Sequence, residues 1–259
     1  MAPPSVWTLL RALLALVSLL TGPVLAGDPN PVIQSVKRSV VAIGTFERTR
    51  SPAFGFSGTG FAVGDGSLVA TNLHVLPGLL NHERREALTV VVFSGPDVQY
   101  RTASVVASDA EFDLALLRLD GERLAPLRVA DAAVVVAEGS DLLFTGFPIG
   151  SVLGLLPSTH RAMVSALVPL VIPKPNAQEL DAKAVRRLSG APPVVYQLDA
   201  VAYPGSSGSP LYDPDSGTVV GVVNSVFVKG FKESALSNPS GIAFAIPASR
   251  LASLMRQSP

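Results

Sequence analysis

Ten short apolar runs, most of them rich in β-branched residues and bounded by Gly, Pro, Asp or Ser, govern what this chain can fold into. They read SVVAIGTF, GTGFAV, SLVATN, LTVVVFS, LALLRL, DLLFTGF, AMVSALV, PVVYQL, TVVGVVNSVFV and IAFAI. Runs of this length and composition suit strands, and their regular spacing by turn residues suits a sandwich or barrel. Helical patterns do not alternate with them, which argues against a doubly wound α/β sheet. Gly64-Asp65-Gly66 supplies a hairpin turn between two of the runs. The expected class is all-β.

Helical signals stand only at the two ends. Asn30 can cap a helix with Pro31 in its first position, and Val32, Ile33 and Val36 give it one apolar face. In PASRLASLMRQ, Leu251, Leu254 and Met255 recur at helical spacing, predicting a C-terminal helix over about 247–257 docked by one face. A Pro-rich, charged insertion runs from Pro173 to Pro193, where Asn176 and Glu179 could cap a short helix through Leu188. Its length between strands suits a surface loop over a functional site.

The first 26 residues read as a secretory signal peptide. Arg11 is the only charge before Asp28; the apolar run ALLALVSLL follows it, and Val24 and Ala26 mark cleavage after Ala26. The alternative is an uncleaved anchor, but a spanning helix needs about 20 apolar residues and Gly22-Pro23 interrupts this one. The expectation is therefore a secreted or periplasmic protein beginning at Gly27, with no stable membrane insertion. With 20 basic and 20 acidic residues there is no electrostatic footprint for nucleic acid. Cysteine is absent, which removes disulfides and thiolate chemistry.

The candidate chemistry centres on YPGSSGSPLY, Tyr203 to Tyr212. Gly205 and Gly208 permit a tight turn that aims backbone N–H groups inward, and the apolar flanks argue against a free linker. A serine there needs a base, and only three histidines exist. His82 lies in the charged stretch NHERREA. That stretch resembles a zinc motif, but Glu86 stands where a second His ligand is needed, so no metal site is expected. His160 follows Pro157-Ser-Thr and reads as a solvated loop residue. His74 ends the strand-like SLVATNLHV, so it is held in place. An imidazole base needs a carboxylate to orient it. Asp113, leading into LALLRL, is the first choice and Asp109 the second. The chain order His, Asp, Ser excludes an α/β-hydrolase, whose His follows its Ser, and a subtilisin, whose Asp precedes its His.

FSGTGFAVGDGSLVATNLHV, FDLALLRL, LDAVAYPGSSGSPL, GVVNSV and GIAFAIP together resemble, in order, the motifs of HtrA/Deg-type serine proteases of the trypsin fold. The resemblance spans roughly residues 30 to 255. It implies a single protease domain over 27–259 with two six-stranded β-barrels, the first over about 39–125 and the second over about 128–246. It further implies His74, Asp113 and Ser207 as the catalytic residues, and the N–H groups of Gly205 and Ser207 as an oxyanion hole. Val201, six residues before Ser207, would floor the primary specificity pocket, with Asn224, Ser225 and Val226 as its wall. That lining is uncharged, which suits an aliphatic substrate side chain. The implied partners are protein or peptide substrates, and no cofactor is implied.

The chain departs from the family in places. It reads G-S-S-G-S where the family usually reads G-N-S-G-G, and a left-handed backbone at Ser209 would cost about 1 kcal/mol. The trypsin style of activation, which pairs a new N-terminus with an Asp before the nucleophile, is not available with Ser206. The last motif lies near the chain's end, so no peptide-binding PDZ domain is expected. Gly27 to Val41 lacks the aromatic residues through which Deg proteases often trimerise, and the oligomeric state stays open. The alternative function is a weakly active or inactive trypsin-fold module that binds proteins in a chaperone-like role.

Overall fold

The computed structural model describes residues 30–94, 97–131, 134, 136–170, 193–225 and 241–257. The expected leader, residues 173–192 of the insertion and Val226 lie outside them. Twelve strands form two closed antiparallel barrels. The first comprises β1 (Val40–Phe46), β2 (Phe54–Val63), β3 (Leu68–Asn72), β4 (Ala87–Ser94), β5 (Asp97–Asp109) and β6 (Leu114–Leu119). The second comprises β7 (Asp141–Gly146), β8 (Ser158–Pro169), β9 (Val194–Asp199), β10 (Pro210–Tyr212), β11 (Val219–Asn224) and β12 (Ile242–Pro247). The first closes by pairing β1 with β4 and the second by pairing β10 with β7. Both have the same circular strand order, so each barrel repeats the other's topology.

The continuous apolar runs are explained by burial on both faces of a strand. In β1, Val41 and Ile43 enter the core of the first barrel, while Val40 and Ala42 enter a second core shared between the barrels. β6 divides the same way, with Leu117 and Leu119 inside and Leu114 and Leu116 at the shared core. Leu143, Tyr212, Val222 and Ile246 join that shared core from the second barrel. β1 and β6 therefore alternate between two apolar environments, the period-two geometry of a pleated strand.

The terminal helices cover the junction. Val36 of the helix Asn30–Lys37 is buried in the shared core, with Val32 and Ile33 packed against it. The helix Ala248–Gln257 buries Leu251 and Leu254 there, and Arg250 lies 4.2 Å over the ring of Phe112.

β5 and β10 are additions to the ten runs. β5 is polar and mostly exposed; its Tyr100 packs on the outside of the barrel against Phe46 and Phe54. β10 is only three residues long. One residue departs from its expected setting: His160 is on β8, not in a solvated loop, with its ring stacked on Phe144 at 5.0 Å. Burial there pushes its imidazole below its ordinary pKa.

Candidate active site

His74 and Asp113, 39 positions apart in sequence, meet because β3 and β6 pair with Asn72 opposite Leu114. His74 is on the 3-10 turn that leaves β3, and Asp113 is the residue before β6. Asp113 adopts a left-handed backbone, φ 53°, which Asp tolerates better than most residues. Its carbonyl is clamped by the Leu73 N–H and the Asn72 side-chain amide, both at 3.0 Å. Its carboxylate accepts the His74 backbone N–H at 2.8 Å and pairs directly with His74 Nδ1. Asp109 is committed elsewhere: its carboxylate caps the turn at Glu111 and Phe112.

The second barrel reaches the same carboxylate. Asn224, at the end of β11 and fully buried, donates from Nδ2 to Asp113 Oδ2 at 2.6 Å. Its side chain is thus spent on Asp113, whereas the sequence reading set it in the wall of a substrate pocket. Val201 is partly exposed and Ser225 partly buried.

Ser207 lies on a turn built by Gly205 and Gly208, with φ of 95° and 86°. A Cβ at Gly208 would collide with the carbonyl oxygen of Thr59, and one at Gly205 with that of Phe147. Thr59, fully buried on β2, fixes this turn from the first barrel. Its hydroxyl donates to the Gly205 carbonyl at 2.7 Å and accepts the Phe147 N–H at 3.1 Å, while its own N–H donates to the Ser207 carbonyl at 2.9 Å.

The turn also sets the direction of two N–H groups. The Pro204 carbonyl accepts the Ile149 N–H at 2.7 Å, and the Ser206 carbonyl accepts the Ser209 N–H at 3.1 Å. A trans peptide holds its N–H opposite its carbonyl. The Gly205 and Ser207 N–H groups therefore point away from those bonds, and neither donates to another group among the described residues. They are free to donate to the oxygen of a bound molecule.

Two details differ from expectation. Ser209 does not take a left-handed backbone, so the anticipated strain is absent; its side chain fills the space beside Gly146. The Ser207 hydroxyl is hydrogen-bonded to the Ser225 hydroxyl and accepts the Ser225 N–H at 3.2 Å, and among the described residues it makes no hydrogen bond to His74. His74 and Asp113 are brought together; Ser207 is placed at the junction with its oxygen turned to Ser225.

Sequence reasoning missed Thr59, Asn72 and the Asn224–Asp113 bond. Gly58 and Gly60, flanking Thr59, signalled a close approach of backbones: a Cβ at Gly58 would press on Val75 and the Ser207 carbonyl. No group of His, Cys, Asp and Glu able to hold a metal occurs among the described residues.

Two six-stranded barrels with an Asp–His pair and a glycine-turned serine at their junction define a protein of the trypsin fold. The Trypsin-like peptidase domain model matches residues 58–222, more than half of the chain, and the chain belongs to that family. It is 30% identical over 225 residues to Serine protease HTR4 of Bos taurus, covering 85% of this chain and 39% of that protein. It is 24% identical over 260 residues to Serine protease Do-like HtrA of Lactococcus lactis, covering 89% of this chain and 56% of that one. The chain thus spans well under two thirds of these relatives' length. In fold, it resembles the active form of the Rv3671c protease of M. tuberculosis, with a TM-score of 0.61, 24% identity and coverage of 100% of this chain and 93% of that one.

Proposed function

We propose that this protein is an exported serine endopeptidase that cleaves polypeptides through an acyl-enzyme. The observation that carries the reading is the convergence on Asp113 of His74 from one side and Asn224 from the other, beside a turn whose two N–H groups are unspent. In this mechanism Asp113 fixes the imidazole with Nδ1 as donor, leaving Nε2 to take the Ser207 proton. Ser207 attacks the scissile carbonyl, and the Gly205 and Ser207 N–H groups receive the oxyanion. His74 then returns the proton to the leaving amine, and water repeats the sequence on the acyl-enzyme. No metal or organic cofactor takes part.

Val201 supplies an uncharged setting for the substrate side chain, which favours cleavage after small or medium aliphatic residues. Unfolded proteins in the exported compartment fit such a preference, and with it a role in quality control. Among the described residues no helix is long and apolar enough to cross a membrane.

The test is hydrolysis of an unfolded protein such as reduced casein by wild type, Ser207→Ala and Ser206→Ala. Cleavage by wild type and Ser206→Ala, lost in Ser207→Ala, supports the reading. The second reading, a trypsin-fold module that binds proteins without cutting them, is favoured by one observation, the turn of Ser207 Oγ toward Ser225. Tight binding of the unfolded protein with no cleavage would establish that alternative.

A further inference from the structure

Ser225 touches the candidate nucleophile directly, by both its N–H and its hydroxyl. It follows Asn224, the last residue of β11, and the two side chains divide between the partners: Asn224 bonds Asp113 and Ser225 bonds Ser207. A serine hydroxyl has one proton and two acceptor positions. The Ser225 N–H occupies one of those positions on Ser207 Oγ. The bond between the two hydroxyls then has two possible directions. If Ser207 donates, its proton is held by Ser225 and is not offered to His74. If Ser225 donates, the Ser207 oxygen stays held toward Ser225, and among the described residues it makes no hydrogen bond to His74. Either direction leaves Ser207 unready.

We propose that Ser225 is a positioning residue that latches the Ser207 hydroxyl in a resting orientation, which must be broken before Ser207 engages His74. The latch rests on the endopeptidase reading. It is a property of the free protein, so it slows every reaction of Ser207 by one common factor, whatever the attacked molecule. A residue lining a substrate pocket would instead change KM in a manner that depends on the substrate side chain.

The experiment compares wild type with Ser225→Ala, Ser225→Thr and Ser225→Val. It reads the second-order rate of labelling by a small alkyl fluorophosphonate and kcat/KM on two peptides that differ in the residue cut. Loss of one hydroxyl bond should speed Ser225→Ala and Ser225→Val by about threefold to tenfold, equally for the label and both peptides. Ser225→Thr, which retains a hydroxyl, should react near the wild-type rate. Val and Thr are matched in shape, so that pair decides the matter if Ser225→Ala fails to fold. Equal or slower labelling of the hydroxyl-free variants, a fast Ser225→Thr, or an effect confined to one peptide would overturn the latch alone. Absence of labelling in wild type and in every variant would overturn the endopeptidase reading and the latch with it.

Discussion

Replacing Thr59 with Val tests how the first barrel controls the turn that carries Ser207. The exchange preserves shape and removes the hydroxyl that bonds both the Gly205 carbonyl and the Phe147 N–H. Phe147 is fully buried, so its N–H would be left without water or a protein partner. Gly205 is partly exposed, and its carbonyl can recover some hydration. An orphaned buried group costs about 1–3 kcal/mol, so the pair should cost about 2–4 kcal/mol once partial hydration of Gly205 is allowed. For a domain of this size that lowers Tm by roughly 5–15 °C. Thr59→Ser keeps the hydroxyl and gives up one buried methyl, a loss of about 1 kcal/mol. Urea unfolding of the three proteins measures the stabilities. Peptide hydrolysis should show kcat falling further than KM rises in Thr59→Val, because the loosened peptide at Gly205 no longer presents its N–H squarely. A Thr59→Val protein within about 0.5 kcal/mol of wild type, or a Thr59→Ser protein equally damaged, would show that the Thr59 hydroxyl does not hold the turn; the expected gap is several times the size of a typical surface effect.

Further outcomes follow from other sites. The His160 imidazole, pushed below its ordinary value by burial against Phe144, resists protonation in the folded state only. Above about pH 6.5 it is neutral folded or unfolded; below that the unfolded chain takes the proton first, so stability falls as pH falls. The drop in urea midpoint from pH 7.5 to 5.5 should therefore be smaller in His160→Phe, and an undiminished drop would show that His160 does not contribute. Gly208→Ala forces a Cβ onto the Thr59 carbonyl at a left-handed backbone position, and should leave little folded, active protein in a soluble-expression and labelling assay. Sites cut in an unfolded protein should cluster after Val, Ala, Ile and Leu, with graded preferences of about 1–3 kcal/mol per matched methylene. A majority after Lys or Arg would remove Val201 from the pocket.

The barrels were legible because ten of their strands carry short apolar runs, and strands such as β1 and β11 are buried on both faces. β5 escaped because its outward face is polar and exposed, and β10 because three residues after a turn carry no period. Within the site, the placing of His74 and Asp113 at strand ends was legible from the apolar runs beside them, and the tight turn at Ser207 from its two glycines. The bonds that hold them were not. Asn72, Thr59 and Asn224 act on residues 41, 146 and 111 positions away, and only the strand pairing of each barrel and the docking of one barrel on the other bring them within reach. The setting of His160 was illegible for a related reason: Pro157 and Ser158 look like a turn in isolation, while pairing with β7 makes Ser158 the first residue of a strand.

In the proposed mechanism Ser207, and not one of the serines around it, is the nucleophile that His74 activates. Mass spectrometry of the fluorophosphonate-treated protein measures this directly. A single adduct is expected, on Ser207, formed at least a thousandfold more slowly in a folded His74→Ala variant, on the scale that loss of a triad base carries. An adduct on Ser206, Ser209 or Ser225, or a Ser207 adduct that forms as fast without His74, would contradict it.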